Sequence, residues 1–298
     1  MQPVKCSKQG GVALILSLWL IVLLTIIGGS HSRNVRLDTR LTSSHLAKTQ
    51  ARMLAEAGLN RAIMELFVVE PGQRWLFDGT EYTLKLDTAV TDIRIQNASG
   101  LINLNSSSPE LLSALFSAAG LKELEAAELV AAILDWRDQD DLTRINGAED
   151  LEYKLENQQY GTPDREFTSV EELRYVMGMT KELYNRIRPF LTVYSDIDGV
   201  NTDYVSDELQ ELLSGSPVAG ASLFTSDELD SGDVSTVVGG GDLDGRLSDA
   251  YHITVRADFD GRAKAFLSVV VDVKRQQGQL YVFRLWDEYS REIEVKDV

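Results

Sequence analysis

The chain of 298 residues holds one cysteine, Cys6, and three scattered histidines, His31, His45 and His252. Cys6 lies near the amino terminus, so once residues 1–11 are removed no cysteine remains and disulfides cannot staple the fold. Three dispersed histidines exclude a His-rich metal site, and each reads as a surface or partly buried residue. Basic runs are missing too. Against 46 Asp and Glu stand 29 Lys and Arg, a formal net charge of −17, and such a surface repels phosphate backbones. That balance excludes nucleic acid as a partner. The patterns of catalysis are also lacking: no Ser/His/Asp arrangement, no P-loop, no HExxH, and a "VVGGGD" that opens no helix after a buried strand. The chain reads as no enzyme.

One absence is local. From Gly10 to Ser32 there is no Lys, Arg, Asp or Glu. Roughly 20 apolar residues span a bilayer core, so this run is long enough to cross one. Lys5 and Lys8 precede it, which keeps the amino terminus cytoplasmic and sends the remainder across. "GGSHSRN" after the run offers no A-x-A-like cleavage site, and Cys6 lies on the wrong side for a lipobox. A short basic leader ending in Gly10-Gly11, followed at once by an apolar helix from Val12, resembles a type IV prepilin-like leader. The resemblance implies cleavage after Gly11 and an N-methylated Val12. It also implies a glutamate at the fifth residue of the trimmed helix, and this chain has Leu16 there. A carboxylate in a membrane is costly without a partner, so its replacement by Leu16 points to a terminal subunit that makes no such contact. The other reading of the segment is a plain single-pass anchor.

What is present downstream changes period twice. "LTSSHLAKTQARMLAEAGLNRAIMELF" repeats apolar residues at Leu46, Leu54, Leu59, Ala62, Ile63 and Leu66, predicting one helix with the anchor, ended by Pro71-Gly72. Alternating strands follow in "EYTLKLDTA" and "TDIRIQNA" and resume in "YHITVRADFDG", "KAFLSVVVDVKR" and "QLYVFRLW". Between them the text is helical. Ser108 is set to cap a helix with Pro109 at its first position, "KELEAAELVAAILDWRDQDD" reads as a second helix, and "FTSVEELRYVMGMTKELYNRIRPFLTV" as two short ones, with Ser169 and Glu172 as a capping box. "INLNSSSPELLSAL" from Ile102 aligns with "VNTDYVSDELQELL" from Val200, an internal repeat at an offset of 98 residues. Part of this text resembles helix-hairpin-helix modules. Residues 98–217 nevertheless hold 23 Asp and Glu against 9 Lys and Arg, which favours a hairpin used for packing.

Acidic residues cluster twice. Asp135, Asp138, Asp140 and Asp141 are followed by Glu149 and Asp150, and "YSDIDGVNTD" brings Asp196, Asp198, Asn201 and Asp203. Like charges at this density repel unless a cation bridges them, and Ca²⁺ takes six to eight oxygen ligands from such loops. Neither loop matches an EF-hand, and a solvated acidic loop is the alternative. "GGGDLDGR" from Gly239 reads as a flexible turn.

The leader, the missing glutamate, "AEAGLNRAI", the split β unit, and "INLN", "DWRDQDD", "GAEDLEY" and "F-x-S-V-E-E-L" occur in one order. Together they resemble the minor pseudopilin K family of type II secretion systems. The resemblance implies an α+β fold: a long amino-terminal transmembrane and stalk helix packed on a pilin-like antiparallel sheet, with a large α-helical domain inserted between strands. It divides the chain into a cleaved leader (1–11), a transmembrane helix (12–32), the first part of the pilin-like domain (33–99), the insert (100–217) and the second part (218–298). It implies Ca²⁺, and a place at the tip of a periplasmic pseudopilus with minor pseudopilins of the I and J types. The major pseudopilin, the prepilin peptidase and the inner membrane of a Gram-negative bacterium are the further partners it implies, with most of the chain in the periplasm. A membrane-anchored periplasmic binding module with a helix-hairpin-helix-like domain is the competing expectation.

Overall fold

The computed structural model describes residues 10–70, 72–86, 89–195, 197–214, 224–225, 249–273 and 280–292. Lys5, Cys6, Lys8, Pro71, Asp196 and the glycine-rich loop from Gly239 lie outside them, as do the side chains of residues 10–12 and 28–37.

A single helix, α1, runs from Gly10 to Glu65. Its carboxyl-terminal half buries Ala47, Ala51, Ala55, Leu59, Ala62 and Ile63, a stripe four residues apart. Leu46, expected in that stripe, is exposed, because the buried face begins one position later, at Ala47, and small alanines fill it over the first turns of contact. Gly58 lies hard against the sheet: a Cβ there would stand 2.8 Å from methyls of both Thr91 and Val255. The helix stops at Glu65, earlier than Pro71-Gly72. Three successive bonds to carbonyls three residues back, at Leu66, Phe67 and Val68 (each 3.2 Å), tighten its last turn. Buried Glu65 then accepts the Trp75 N–H at 3.2 Å and pairs with Arg61, which fixes the chain reversal.

The strands are β1 (Asp78–Leu86), β2 (Ala89–Asn97), β3 (Ile102–Asn103), β4 (Leu191–Thr192), β5 (Val200–Asn201), β6 (Phe224–Thr225), β7 (Ala250–Phe259), β8 (Ala263–Asp272) and β9 (Val282–Glu292). Five of them form an antiparallel sheet in the order β1-β2-β7-β8-β9. The join between β2 and β7 pairs Ile93 with Val255 and Ile95 with Ile253, across the whole intervening chain. Alternate residues of β2, β7 and β8 (Ile93, Ile95, Ile253, Val255, Leu267, Val269) point at α1 and make one hydrophobic core.

The intervening chain builds a second core of its own. Its helices are α2 (Pro109–Ala118), α3 (Glu123–Arg137), α4 (Asp150–Leu155), α5 (Lys181–Ile187) and α6 (Asp207–Ser214). Leu112, Phe116, Ile133, Trp136, Tyr153, Leu173 and Ile187 fill the space between them. Ser108 caps α2, its hydroxyl accepting the Leu111 N–H at 3.2 Å, with Pro109 in the first turn. The capping box expected at Ser169 does not form. Glu172 instead accepts the backbone N–H of Thr168 at 3.2 Å and the hydroxyl of Thr168, and residues 170–175 wind as a 3-10 helix. The hairpin at Met177-Gly178-Met179 is turned inward: the Met177 N–H bonds the Tyr153 hydroxyl at 2.9 Å, and both methionines lie against the core. Two-residue strands lead into α2 and α6 alike, and each pairs in parallel with a distant strand, β3 with β4 and β5 with β6.

Candidate functional site

The last turn of α3 carries Asp135, fully buried, and the helix ends two residues later. The expected helical run through "DWRDQDD" therefore breaks at Arg137. Its guanidinium donates to the carbonyls of Leu104 (2.6 Å) and Ser107 (3.1 Å), tying the helix end to the segment after β3. Asp138, with extended backbone, starts a loop that folds back over Asp135.

Arg144 closes that loop. Its Nη1 donates to Asp135 Oδ1 at 2.8 Å and pairs with Asp138, and its backbone N–H donates to Asp135 Oδ2 at 3.2 Å. Two buried or half-buried carboxylates thus hold one half-exposed cation, and they raise the guanidinium pKa through these hydrogen bonds. Gly147 lies so close that a Cβ there would run into Asp135 Oδ2.

Glu149 joins the group from the far end of the loop. It is 4% exposed, its Oε2 accepts the Thr162 hydroxyl at 2.6 Å, and its Oε1 has no partner. Burial, reinforced by the charges of Asp135, Asp164 and Asp138, pushes its carboxyl up to about 7. Asp138 Oδ1 and Asp164 Oδ1 are likewise buried without a partner. Three buried carboxylate oxygens with nothing to bond are an unusual concentration, since buried polar atoms are nearly always satisfied.

Of the acidic residues singled out in the sequence, the structure gathers Asp135, Asp138 and Glu149 here. Asp140, Asp141 and Asp150 face solvent, Asp140 accepting the Leu142 N–H at 3.0 Å and Asp150 pairing with Lys154 at 2.9 Å. In the second cluster Asp198 and Asp203 are exposed, and the Asn201 side-chain oxygen is engaged by the Asp203 N–H at 2.8 Å. Asp164 and Thr162 were not legible beforehand. Nothing in "GTPDRE" distinguishes them, and only folding brings them to Glu149. Among the described residues no group of three or more His, Cys, Asp or Glu converges closely enough to hold an ion. The guanidinium of Arg144 takes up the space between Asp135 and Asp138.

Gly11 and Val12 fall in the first turns of α1. Leu16 and its neighbours Leu14, Ile15, Leu18 and Trp19 are exposed. Among the described residues no helix is long and apolar enough to cross a membrane; side chains are described at residues 13–27 of the uncharged run.

A family model for type II secretion system (T2SS) protein K matches residues 89–196, from β2 through the acidic loop and past β4. Type II secretion system protein K of Aeromonas hydrophila is 30% identical over 236 residues, covering 70% of this chain and 71% of that protein. The chain belongs to the type II secretion system protein K family. Protein K of Pectobacterium carotovorum is 26% identical over 231 residues, 70% of each chain. In fold, this protein K family member is similar to a chain in the crystal structure of the GspK-GspI-GspJ complex from the enterotoxigenic Escherichia coli type 2 secretion system. That likeness has a TM-score of 0.53 at 13% identity, over 86% of this chain and 99% of that one.

Proposed function

We propose that the chain is a minor pseudopilin at the tip of a periplasmic pseudopilus, starting its assembly and helping folded proteins cross the outer membrane. The observation that carries this reading is the place of the insert. A helical unit with its own core leaves the sheet between β2 and β7, and such bulk is tolerated at the end of a stack and clashes inside one. In this reading the leader is cut after Gly11 by a prepilin peptidase and Val12 becomes the N-methylated amino terminus. The uncharged run from residue 12 to 32 anchors the chain in the inner membrane, with the remainder periplasmic. Leu16, lacking a carboxylate, leaves one side of the helix without the usual contact to a neighbour. The partners are minor pseudopilins of the I and J types, and the major pseudopilin below them. The test is the mature amino terminus. N-methylated Val12 is expected, as is loss of both processing and secretion in Gly11→Ala; normal processing of that variant overturns the reading. Co-purification with pseudopilins of the I and J types is the second expected result, and a free-standing monomer the contrary one.

Calcium is part of the same proposal. The donors are all oxygen, the chemistry Ca²⁺ prefers, and Asp138, Glu149 and Asp164 each present an unpartnered oxygen, with Asp135 beside them. With the Arg144 guanidinium displaced from between Asp135 and Asp138, these residues would draw together on the ion, which would supply positive charge to a site rich in carboxylates and cross-link the loop to the end of α3. Thermal melting of the chain with and without chelator checks it, and an unchanged midpoint counts against it.

A further inference from the structure

The loop over Asp135 has an outer side that the acidic site does not use. Leu142 is 75% exposed and Ile145 90% exposed. Neither rides on a loose segment: the Leu142 N–H is held by Asp140, and the Arg144 N–H by buried Asp135 at 3.2 Å. Thr143 between them bonds Glu152 of α4 at 3.4 Å, which brings the loop beside that helix. There Leu151 and Leu155, one turn apart on the same face, are 63% and 71% exposed. Four apolar side chains, Leu142, Ile145, Leu151 and Leu155, are thus held out into solvent by a hydrogen-bonded frame, and exposed apolar patches of this kind mark interaction sites.

The charge around them selects the occupant. Residues 138–160 carry seven acidic side chains and two basic ones, Arg144 and Lys154, both already paired with aspartates. A second copy of this chain would bring the same excess of negative charge, and an anionic lipid surface would be repelled as well. We propose that this face docks a segment of another protein in which apolar side chains are flanked by lysine or arginine. The apolar residues supply contact area, and the acidic rim steers the approach and rejects acidic segments. The assignment does not rest on the tip reading: exposure and charge carry it.

The test uses the full chain in nanodiscs of zwitterionic lipid and a fluorescent peptide of about 12 residues alternating leucine and lysine, with a leucine–glutamate peptide as its pair. Binding is read by anisotropy against empty nanodiscs. The lysine peptide is expected to bind at least about tenfold more tightly than the glutamate one. The double substitution Leu142→Asn, Ile145→Asn leaves charge unchanged and touches only exposed side chains, and it is expected to weaken binding about tenfold or more with an unaltered circular dichroism spectrum. Equal binding by this variant means that charge alone attracts the peptide and overturns the proposal, as does equal binding of the two peptides. Self-association in sedimentation, or retention on phosphatidylglycerol vesicles, that this variant abolishes would assign the face to a second copy or to lipid and overturn it equally.

Discussion

Asn103 and Asn201, at equivalent places in the two halves of the internal repeat, form the same turn. Each side-chain oxygen accepts the backbone N–H two residues on, from Asn105 at 2.9 Å and from Asp203 at 2.8 Å. The likeness continues: Ser108 and Ser206 each cap the helix that follows, accepting from Leu111 at 3.2 Å and Leu209 at 3.3 Å. Leu111 and Leu115 on one side, and Leu209 and Leu213 on the other, point into a shared core. Asn201 is therefore a turn former, and among the described residues of the second acidic cluster Asp198 and Asp203 stay exposed.

The two asparagines are not equal in weight. Asn103 is buried and also donates to the Ser195 carbonyl, whereas Asn201 is half-exposed. Asn103→Ala is expected to cost roughly 2 kcal/mol or more in urea unfolding, since it strands buried polar partners, and Asn201→Ala less than about 1 kcal/mol. Equal losses would refute this ordering.

Arg144 competes with any cation for Asp135 and Asp138. In chelator, Arg144→Ala leaves buried Asp135 without its positive partner and is expected to destabilise by roughly 1–3 kcal/mol. With calcium present the loss should shrink, and the variant should bind the ion more tightly than the parent in calorimetry. A variant that binds calcium no better than the parent would show that Arg144 does not occupy the ion's place.

Two titrations oppose each other. Glu149 is held up to about 7 in the fold, so its contribution falls as pH rises from its ordinary value near 4.5 and levels off above about 7. His252, whose ring bonds Thr192 Oγ1 at 3.0 Å, is pushed down to about 4 by burial. Its contribution is complete above about 6.5 and is lost as pH falls towards 4. The slopes cancel over roughly pH 4.5–6.5. In chelator, His252→Gln is expected to reveal stability that declines with rising pH, and Glu149→Gln stability that declines with falling pH. Thermal midpoints across pH 4–8 measure both, and parallel profiles for the two variants would exclude this account.

Gly58 tests the contact between α1 and the sheet. Replacement by alanine gains helix propensity of about 1 kcal/mol but forces Thr91 and Val255 aside. Gly58→Ala is expected to be neutral to about 2 kcal/mol destabilising, and Gly58→Val worse by at least about 1 kcal/mol. A valine variant as stable as the parent would mean that the helix stands off more than this contact allows.

The amino-acid order by itself determined the uncharged run from Gly10 to Ser32, the strand alternation on both sides of the insert, the Ser108-Pro109 helix start and the Asn-x-Asn/Asp repeat. Each is a local pattern, set by the periods of helix and strand or by the reach of one side chain to its own backbone. What only the tertiary structure decided concerns neighbours far apart in the chain. Alanines 47, 51 and 55 face the sheet and Leu46 does not, because the rotation of the helix against the sheet, set by packing along its whole length, chooses which face is buried. Glu149 meets Asp164 and Thr162, while Asp140, Asp141 and Asp150 stay in water, because the end of α3 and the fold of one loop set which carboxylates converge. Charge density along the sequence drew attention to that region; burial, which depends on the whole packed core behind Asp135, selected the residues.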